Sequence, residues 1–492
     1  MKYYIGADLG TSSLKLLLID SSGVVVKEVS RDYPVDYPQP SWSEENPEDW
    51  WNAFVSGVKE LIRDVEAENV CGIGVAGQMH GLVILDSEDR VIRPTILWND
   101  GRADKETEYL NREIGRDRVS AWTANIAFAG FTAPKLLWMK NREPNLFAKI
   151  SKIMLPKDYL NYKLTGKHCT DYSDASGMLL LDVQNKCWSQ DMLKICDISE
   201  KQMPALMESY EVIGTVLPEA AKETGLSSSV KVVAGAGDNA AAAVGTGTVF
   251  NGKCNISLGT SGTVFISSDT FSVDTYNALH SFCHANGKNH LMACILSAAS
   301  CNKWFCGDIL GTTEYAKEES AITEQNLGKN DVFFLPYLIG ERSPINDTDA
   351  RGTFTGLRMD TTRADMLQAV FEGVAFAIKD NMEIAKSLGI GITSSSLCGG
   401  GAKSKLWQKI ICNILNIEIT IPQTEQGPGY GGAMLAMVGA GEFDSVQECA
   451  NVFVKIKTTL YPEREIADRY QKQYEKFKQI YPSMKELFKK IK

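Results

Sequence analysis

The sequence predicts an α/β protein of two similar domains related by internal duplication. Three observations lead there. Strand-like runs alternate with helical stretches along the chain, as they do in α/β domains. The turns at residues 8–13 and 257–262 share the tetrapeptide Leu-Gly-Thr-Ser, so four of six positions are identical. They lie 249 positions apart, about half of the 492-residue length, and both sit between apolar runs, which points to a repeat.

Taken in order, residues 3–19 read as a strand–turn–strand hairpin, and residues 255–267 repeat its design. Residues 43–47 (SEENP) mark a helix start with Pro47 near the first turn. A strand over 70–75 enters the glycine-rich turn Gly77-Gln78-Met79-His80-Gly81. Residues 231–244 read as strand, glycine turn and alanine-rich helix, with Asp238 where the helix begins. A strand at 396–398 enters Gly399-Gly400-Gly401-Ala402, and an amphipathic stretch follows over 406–415. The tail, 463–492, reads as a charged amphipathic helix pair broken at Pro482 and covering the second domain. The boundary falls near 244–254, giving domains 1–246 and 247–492.

Composition excludes several classes. Apolar residues make up 44% and charged residues 23%, ordinary values for a globular chain and far from disorder. With 51 Lys and Arg against 61 Asp and Glu, the net charge of −10 gives no general attraction for nucleic acid or an anionic membrane. No uncharged stretch reaches the ~20 apolar residues of a spanning helix. The N-terminus turns to Gly6-Ala7-Asp8 before a signal-peptide core forms. Twelve scattered cysteines with no C-x-x-C pair read as reduced thiols of a cytoplasmic protein.

The two Gly-Thr-Ser turns can hold phosphate, because backbone N–H groups converge and hydroxyls add donors; the bland alternative is a pair of ordinary hairpin turns. Neither is a G-x-x-x-x-G-K-[ST] loop, so a P-loop ATPase is disfavoured. Asp8 beside the first turn can hold Mg²⁺ or form an Asx turn. The triple glycine at 399–401 can let an adenosine lie on the backbone, or simply turn the chain. Asp238 is either a helix N-cap or the general base for a sugar hydroxyl, and the roles conflict, because N–H donors lower a carboxylate's basicity. His80, after Met79, either bonds a substrate hydroxyl or is structural. His280, Cys283 and His284 have metal-like spacing but no second cluster, which disfavours zinc. Trp50, Trp51, Tyr470, Tyr474 and Phe477 read as packing aromatics.

Longer segments add a resemblance. Residues 130–138 (GFTAPKLLW), 352–357 (GTFTGL) and 369–372 (AVFE) match, at fixed spacing, the signatures of the FGGY carbohydrate kinases. The chain resembles that family over residues 4–441. Residues 76–81 (AGQMHG), 97–102 (LWNDGR), 155–159 (LPKDY), 280–284 (HSFCH) and 335–342 (LPYLIGER) are similar to its xylulose-specific members. Glycerol-specific members carry an Arg-Glu pair where this chain reads Gln78-Met79-His80.

The resemblance implies an actin-like (ribonuclease H-like) fold in each half, with the sugar side in the first, the nucleotide side in the second and a cleft between them. It implies ATP-dependent phosphorylation of D-xylulose at its terminal hydroxyl. Carried over residue by residue, Asp238 matches the base, Met79, His80 and Asn239 match sugar contacts, and Asp8 matches the acid near Mg²⁺ and phosphate. Thr11, Ser12, Gly259, Thr260 and Ser261 match phosphate positions. Gly399, Gly400, Gly401 and Ala402 match the nucleotide motif. Residues 427–433 (GPGYGGA) depart from the family's usual Gly-Ala-Ala at the adenine pocket. A kinase for another ketose or polyol, such as ribulose, and an actin-like assembly protein are the alternatives. A homodimer is compatible with the sequence, which does not set oligomeric state.

Overall fold

Each half of the chain folds around a seven-stranded sheet with the same central order. In the first half the strands are β1 (Tyr3–Leu9), β2 (Ser13–Asp20), β3 (Val25–Asp32), β4 (Val70–Gly77), β5 (Val212–Thr215), β6 (Lys231–Val233) and the short β7 (Ala236–Gly237). In the second they are β8 (Lys253–Leu258), β9 (Gly262–Ser268), β10 (His280–Cys283), β11 (Asn289–Ile295), β12 (Ser394–Cys398), β13 (Glu418–Pro422) and β14 (Ile456–Leu460). The computed structural model describes residues 1–274, 276–423 and 426–491.

The first sheet runs β5-β6-β4-β1-β2-β3, with β7 beside β4. β1, β2 and β3 form an antiparallel meander, and β1, β4 and β6 are parallel. The second runs β10-β11-β9-β8-β12-β13-β14, with β8, β9 and β11 as its meander and β8, β12 and β13 parallel. The duplication read from two hairpin turns is therefore a duplication of whole sheets. β1 and β4 are buried almost throughout, as parallel strands covered on both faces must be.

The hairpin turns differ by one residue. Leu9 pairs with Leu14 in the first, whereas Leu258 pairs with Gly262 in the second. The helix expected near Pro47 runs Pro47–Leu61, capped by Asn46, and buries Trp50 and Trp51. The tail forms Arg464–Phe477 and Ile480–Phe488, packed through Tyr470, Tyr474, Phe477 and Phe488 onto the second core. The break expected at Pro482 lies instead at residues 478–479. Pro482 falls in the first turn of the last helix, where its missing N–H has no intrahelical partner to lose.

The 427–433 glycines have a packing role. Helix Gly427–Ala440, although it connects β13 and β14 of the second sheet in sequence, lies on β1 and β4 of the first. A Cβ on Gly6 would sit 1.8 Å from the Gly429 carbonyl oxygen, and one on Gly74 2.0 Å from that of Gly432. A Cβ on Gly431 would sit 1.9 Å from the Ala241 carbonyl. Only glycine lets the two backbones come this close. These glycines are where the two halves come into backbone contact.

Candidate active site

The reactive groups gather at the C-terminal ends of the parallel strands, where open α/β sheets bind ligands. Asp8 lies within β1, paired with Lys15 and Ala76, so it forms no Asx turn. Burial, and then the charge of Asp238, push its carboxyl up to about 7, against the pull of Lys15. Asp238 is the first residue of helix Asp238–Gly245, and Gly237 is the N-cap, which removes the capping alternative. Its Oδ1 accepts from the backbone N of Asn239 (2.6 Å) and from Asn239 Nδ2 (2.8 Å). Oδ2 has no partner among the described residues. Burial raises the Asp238 carboxyl to about 6 despite the Asn239 donors.

A buried network holds Asp238 in place. The Gly237 N–H donates to Ser173 Oγ (3.2 Å), which donates to Asp171 Oδ2 (2.5 Å). Lys157 Nζ lies 3.0 Å from Asp171 Oδ1 and 2.6 Å from Asp158 Oδ1, all essentially without exposure. Lys157 and Asp158 stood in the sequence as the LPKDY motif. Nothing there linked them to Asp171 and Ser173.

Met79 packs against the residue that precedes Asp238, and His80 follows it in the turn. A Cβ on Gly237 would meet Met79 Sδ at 3.0 Å, and one on Gly177 would meet His80 Nδ1 at 2.4 Å. His80 has φ +70°, in the left-handed region. Its carbonyl accepts from Thr132 Oγ1 (3.0 Å) and from the fully buried Lys135 Nζ (2.9 Å). Its Nδ1 is 2.8 Å from the Gly177 carbonyl. Burial, with the charge of Lys135, lowers its pKa to about 3, so the ring is neutral. A neutral ring that donates through Nδ1 presents Nε2 as an acceptor. Phe131 stands 4.7 Å away, ring to ring.

Of the turn residues, Thr11 Oγ1 accepts from Trp98 Nε1 (2.9 Å), while Ser12, Thr260 and Ser261 are exposed. The Gly259 and Thr260 carbonyls accept from Ala299 N (2.9 Å) and Ala298 N (3.0 Å), tying the second turn to a following helix. Gly399 has φ +90°, and a Cβ there would press on the Leu258 carbonyl at 2.8 Å. This brings the glycine turn against the second hairpin. Gly400 and Gly401 line a cavity of about 350 Å³ together with Ala299, Asn302, Lys303, Tyr315, Glu319, Lys403, Ser404 and Trp407. Ala402 does not line it; only 3% exposed, it faces the second core. No local signal marked the far wall, Asn302 to Glu319, which meets the glycines only through tertiary packing.

Two half-buried carboxyls at neighbouring strand ends, with hydroxyl-bearing turns and a nucleoside-sized cavity beyond, are the parts of a phosphoryl-transfer site. The comparisons agree. The N-terminal domain of the FGGY family of carbohydrate kinases matches residues 3–245, and its C-terminal domain matches residues 254–440. The chain belongs to the FGGY family of carbohydrate kinases. This FGGY kinase is 41% identical to the xylulose kinase of Escherichia coli (strain K12) over 98% of its own length and 99% of that protein's. It is 36% identical to the xylulose kinase of Bacillus subtilis (strain 168), over 99% and 98%. It is similar to the crystal structure of a xyloylose kinase from Brucella ovis, with a TM-score of 0.93, 40% identity, and 99% and 100% of the two chains covered. The expected actin-like two-domain architecture is the one observed. No helix among the described residues is long and apolar enough to cross a membrane.

Proposed function

We propose that this FGGY kinase transfers the γ-phosphoryl group of ATP to the terminal hydroxyl of D-xylulose, giving xylulose 5-phosphate and ADP. The observation that carries the mechanism is Asp238, a half-buried carboxylate with Oδ2 unengaged and a pKa of about 6. Near neutral pH it is ionised yet basic enough to take the hydroxyl proton, a role worth ~10²–10⁴ in rate. The hydroxyl oxygen bonds to phosphorus as its proton passes to Oδ2, and the bond from phosphorus to the ADP oxygen breaks. The names of the relatives support xylulose as the acceptor.

Met79 and His80 form the sugar wall, and Asn239 orients Asp238. The hairpin turns supply Thr11, Ser12, Gly259, Thr260 and Ser261 to the phosphates, and the cavity at Gly400 and Gly401 takes the nucleoside. Asp8 fits Mg²⁺, because a carboxyl raised to about 7 beside a second carboxylate is relieved by a cation. Bound Mg²⁺ supplies charge neutralisation on the phosphates. No disulfide joins the cysteines among the described residues, in keeping with the cytoplasm as the compartment.

A coupled assay of ADP release across pentuloses, hexuloses and polyols tests this reading. The highest kcat/KM is expected with D-xylulose. Preference for another ketose overturns the choice of sugar, and no sugar-dependent ADP release overturns the kinase reading.

A further inference from the structure

We propose that the second half completes the sugar subsite, with the His280 imidazole hydrogen-bonding a substrate oxygen and the Arg342 guanidinium closing the same wall. This rests on the sugar-kinase reading above. His280 opens β10, the edge strand of the second sheet, yet packs against aromatic residues of the first half. Its ring centroid is 5.2 Å from Phe128 and 5.5 Å from Phe131, and Phe131 in turn stands 4.7 Å from His80. The sugar wall at Met79 and His80 therefore continues without a break onto His280.

The hydrogen bonds set His280 apart. Of the chain's five histidines, His80, His168 and His284 each engage a backbone carbonyl at 2.8 Å, and His290 bonds the backbone of Cys283. His280 is 4% exposed and has no hydrogen-bond partner among the described residues. Its ring nitrogens are not among the enclosed, unpaired polar atoms, so the small part of the residue left open is where a hydrogen-bonding ligand can reach. Its pKa is well below the usual histidine value, through burial and then the nearby Arg342, so the ring is neutral and offers one donor and one acceptor.

Arg342 comes from the second half's loop beyond residues 333–335. Its guanidinium carbon stands 4.7 Å over the Phe128 ring, and among the described residues no carboxylate lies within ion-pair distance of it. An unpaired fork of N–H donors above an aromatic floor, beside two neutral imidazoles, suits the hydroxyls and carbonyl of a ketose. Because it reaches from one half onto the wall of the other, it senses sugar only when the halves are together.

The test is kinetics on the full-length enzyme with His280→Phe, which keeps the ring packing and removes both nitrogens, and with Arg342→Met. His280→Gln serves as a second variant should the phenylalanine perturb folding. Each is expected to raise KM for D-xylulose about 10-fold while KM for ATP stays within about 2-fold. Calorimetric binding of D-xylulose without nucleotide should weaken by the same factor. Unchanged sugar KM and affinity in both His280 variants, with wild type active on D-xylulose, overturns the inference and leaves the kinase reading standing. Wild type inactive on D-xylulose but active on another acceptor overturns the choice of sugar, and the same variants measured on that acceptor then decide the inference.

Discussion

The two halves share a strand order and differ at its strand ends. β1 ends in the first half with Asp8 two residues before the Gly-Thr-Ser turn; at the same place β8 carries Ser257. In the first half the parallel strands lead to Asp238. In the second, β12 runs into Gly399 and an open cavity. One copy keeps charge in its cleft, at a desolvation cost visible in both raised carboxyls. The other is neutral at the corresponding strand and makes space. The difference teaches that a duplicated fold preserves what packs the sheet and diverges where strands deliver side chains to a ligand.

The sharpest way to break this comparison is to neutralise the charged half. Asp238→Asn should lower kcat by ~10²–10⁴ with ATP affinity nearly intact, because the base acts on the hydroxyl in the transition state. Steady-state kinetics with a nucleotide-binding titration checks it. A variant that unfolds in part, yet keeps full activity in its folded fraction, would reduce Asp238 to a structural role.

The pH profile comes next. A base must be ionised to accept a proton, so kcat/KM should fall as pH drops through the Asp238 value of about 6, tenfold per unit below it, with a plateau above. Asp8 titrates higher, at about 7. A bound cation favours its ionised form and moves its titration down. The acid limb should therefore move to lower pH at saturating Mg²⁺ and shift upward when Mg²⁺ is limiting. A limb indifferent to Mg²⁺ would separate Asp8 from the metal.

Legibility in the sequence followed the same divide. The hairpins, the strand at 70–75 and the helix start at Asp238 rest on local patterns, and all were readable. So were the glycine turn and Asp238 itself, because strand, glycine and acid are contiguous. The far wall of the nucleoside cavity was not readable, since Asn302, Tyr315 and Glu319 meet Gly400 only after two elements pack. The glycines of residues 427–432 looked like a pocket motif because their partners, Gly6 and Gly74, lie more than half the chain away. The Asp171–Ser173 brace and the left-handed φ of His80 carry no periodic or compositional signal.

The second half is tested by filling its space. A Cβ on Gly400 would meet nothing within 4 Å, so Gly400→Val puts its methyl groups into the cavity without disturbing the second core. KM for ATP should rise about 10-fold, as for the loss of one good apolar fit, with sugar KM unchanged. An equal rise for both substrates would show that the cavity is not separable from the sugar wall.

The smallest expected effect concerns Lys135, where the first half's use of buried charge is most extreme. Its side chain is wholly buried, its Nζ donates to the His80 carbonyl at 2.9 Å, and no carboxylate lies within ion-pair distance among the described residues. Desolvation holds its pKa well below that of an ordinary lysine, opposed chiefly by Asp100. Burying an ammonium costs several kcal/mol, whereas the hydrogen bond returns about 1 kcal/mol net. On stability alone methionine is the better residue, so Lys135→Met should keep or raise the thermal midpoint. The lysine's contribution is to His80: together with Thr132 Oγ1 it pins the carbonyl of a residue held at φ +70°. With one of two donors gone the imidazole is placed less well, and KM for the sugar should rise about 3-fold while KM for ATP does not move. Thermal denaturation paired with the two KM values decides the matter. A midpoint that drops by many degrees with sugar KM unchanged would make Lys135 a structural cation. The first half would then hold its charges for packing as much as for chemistry.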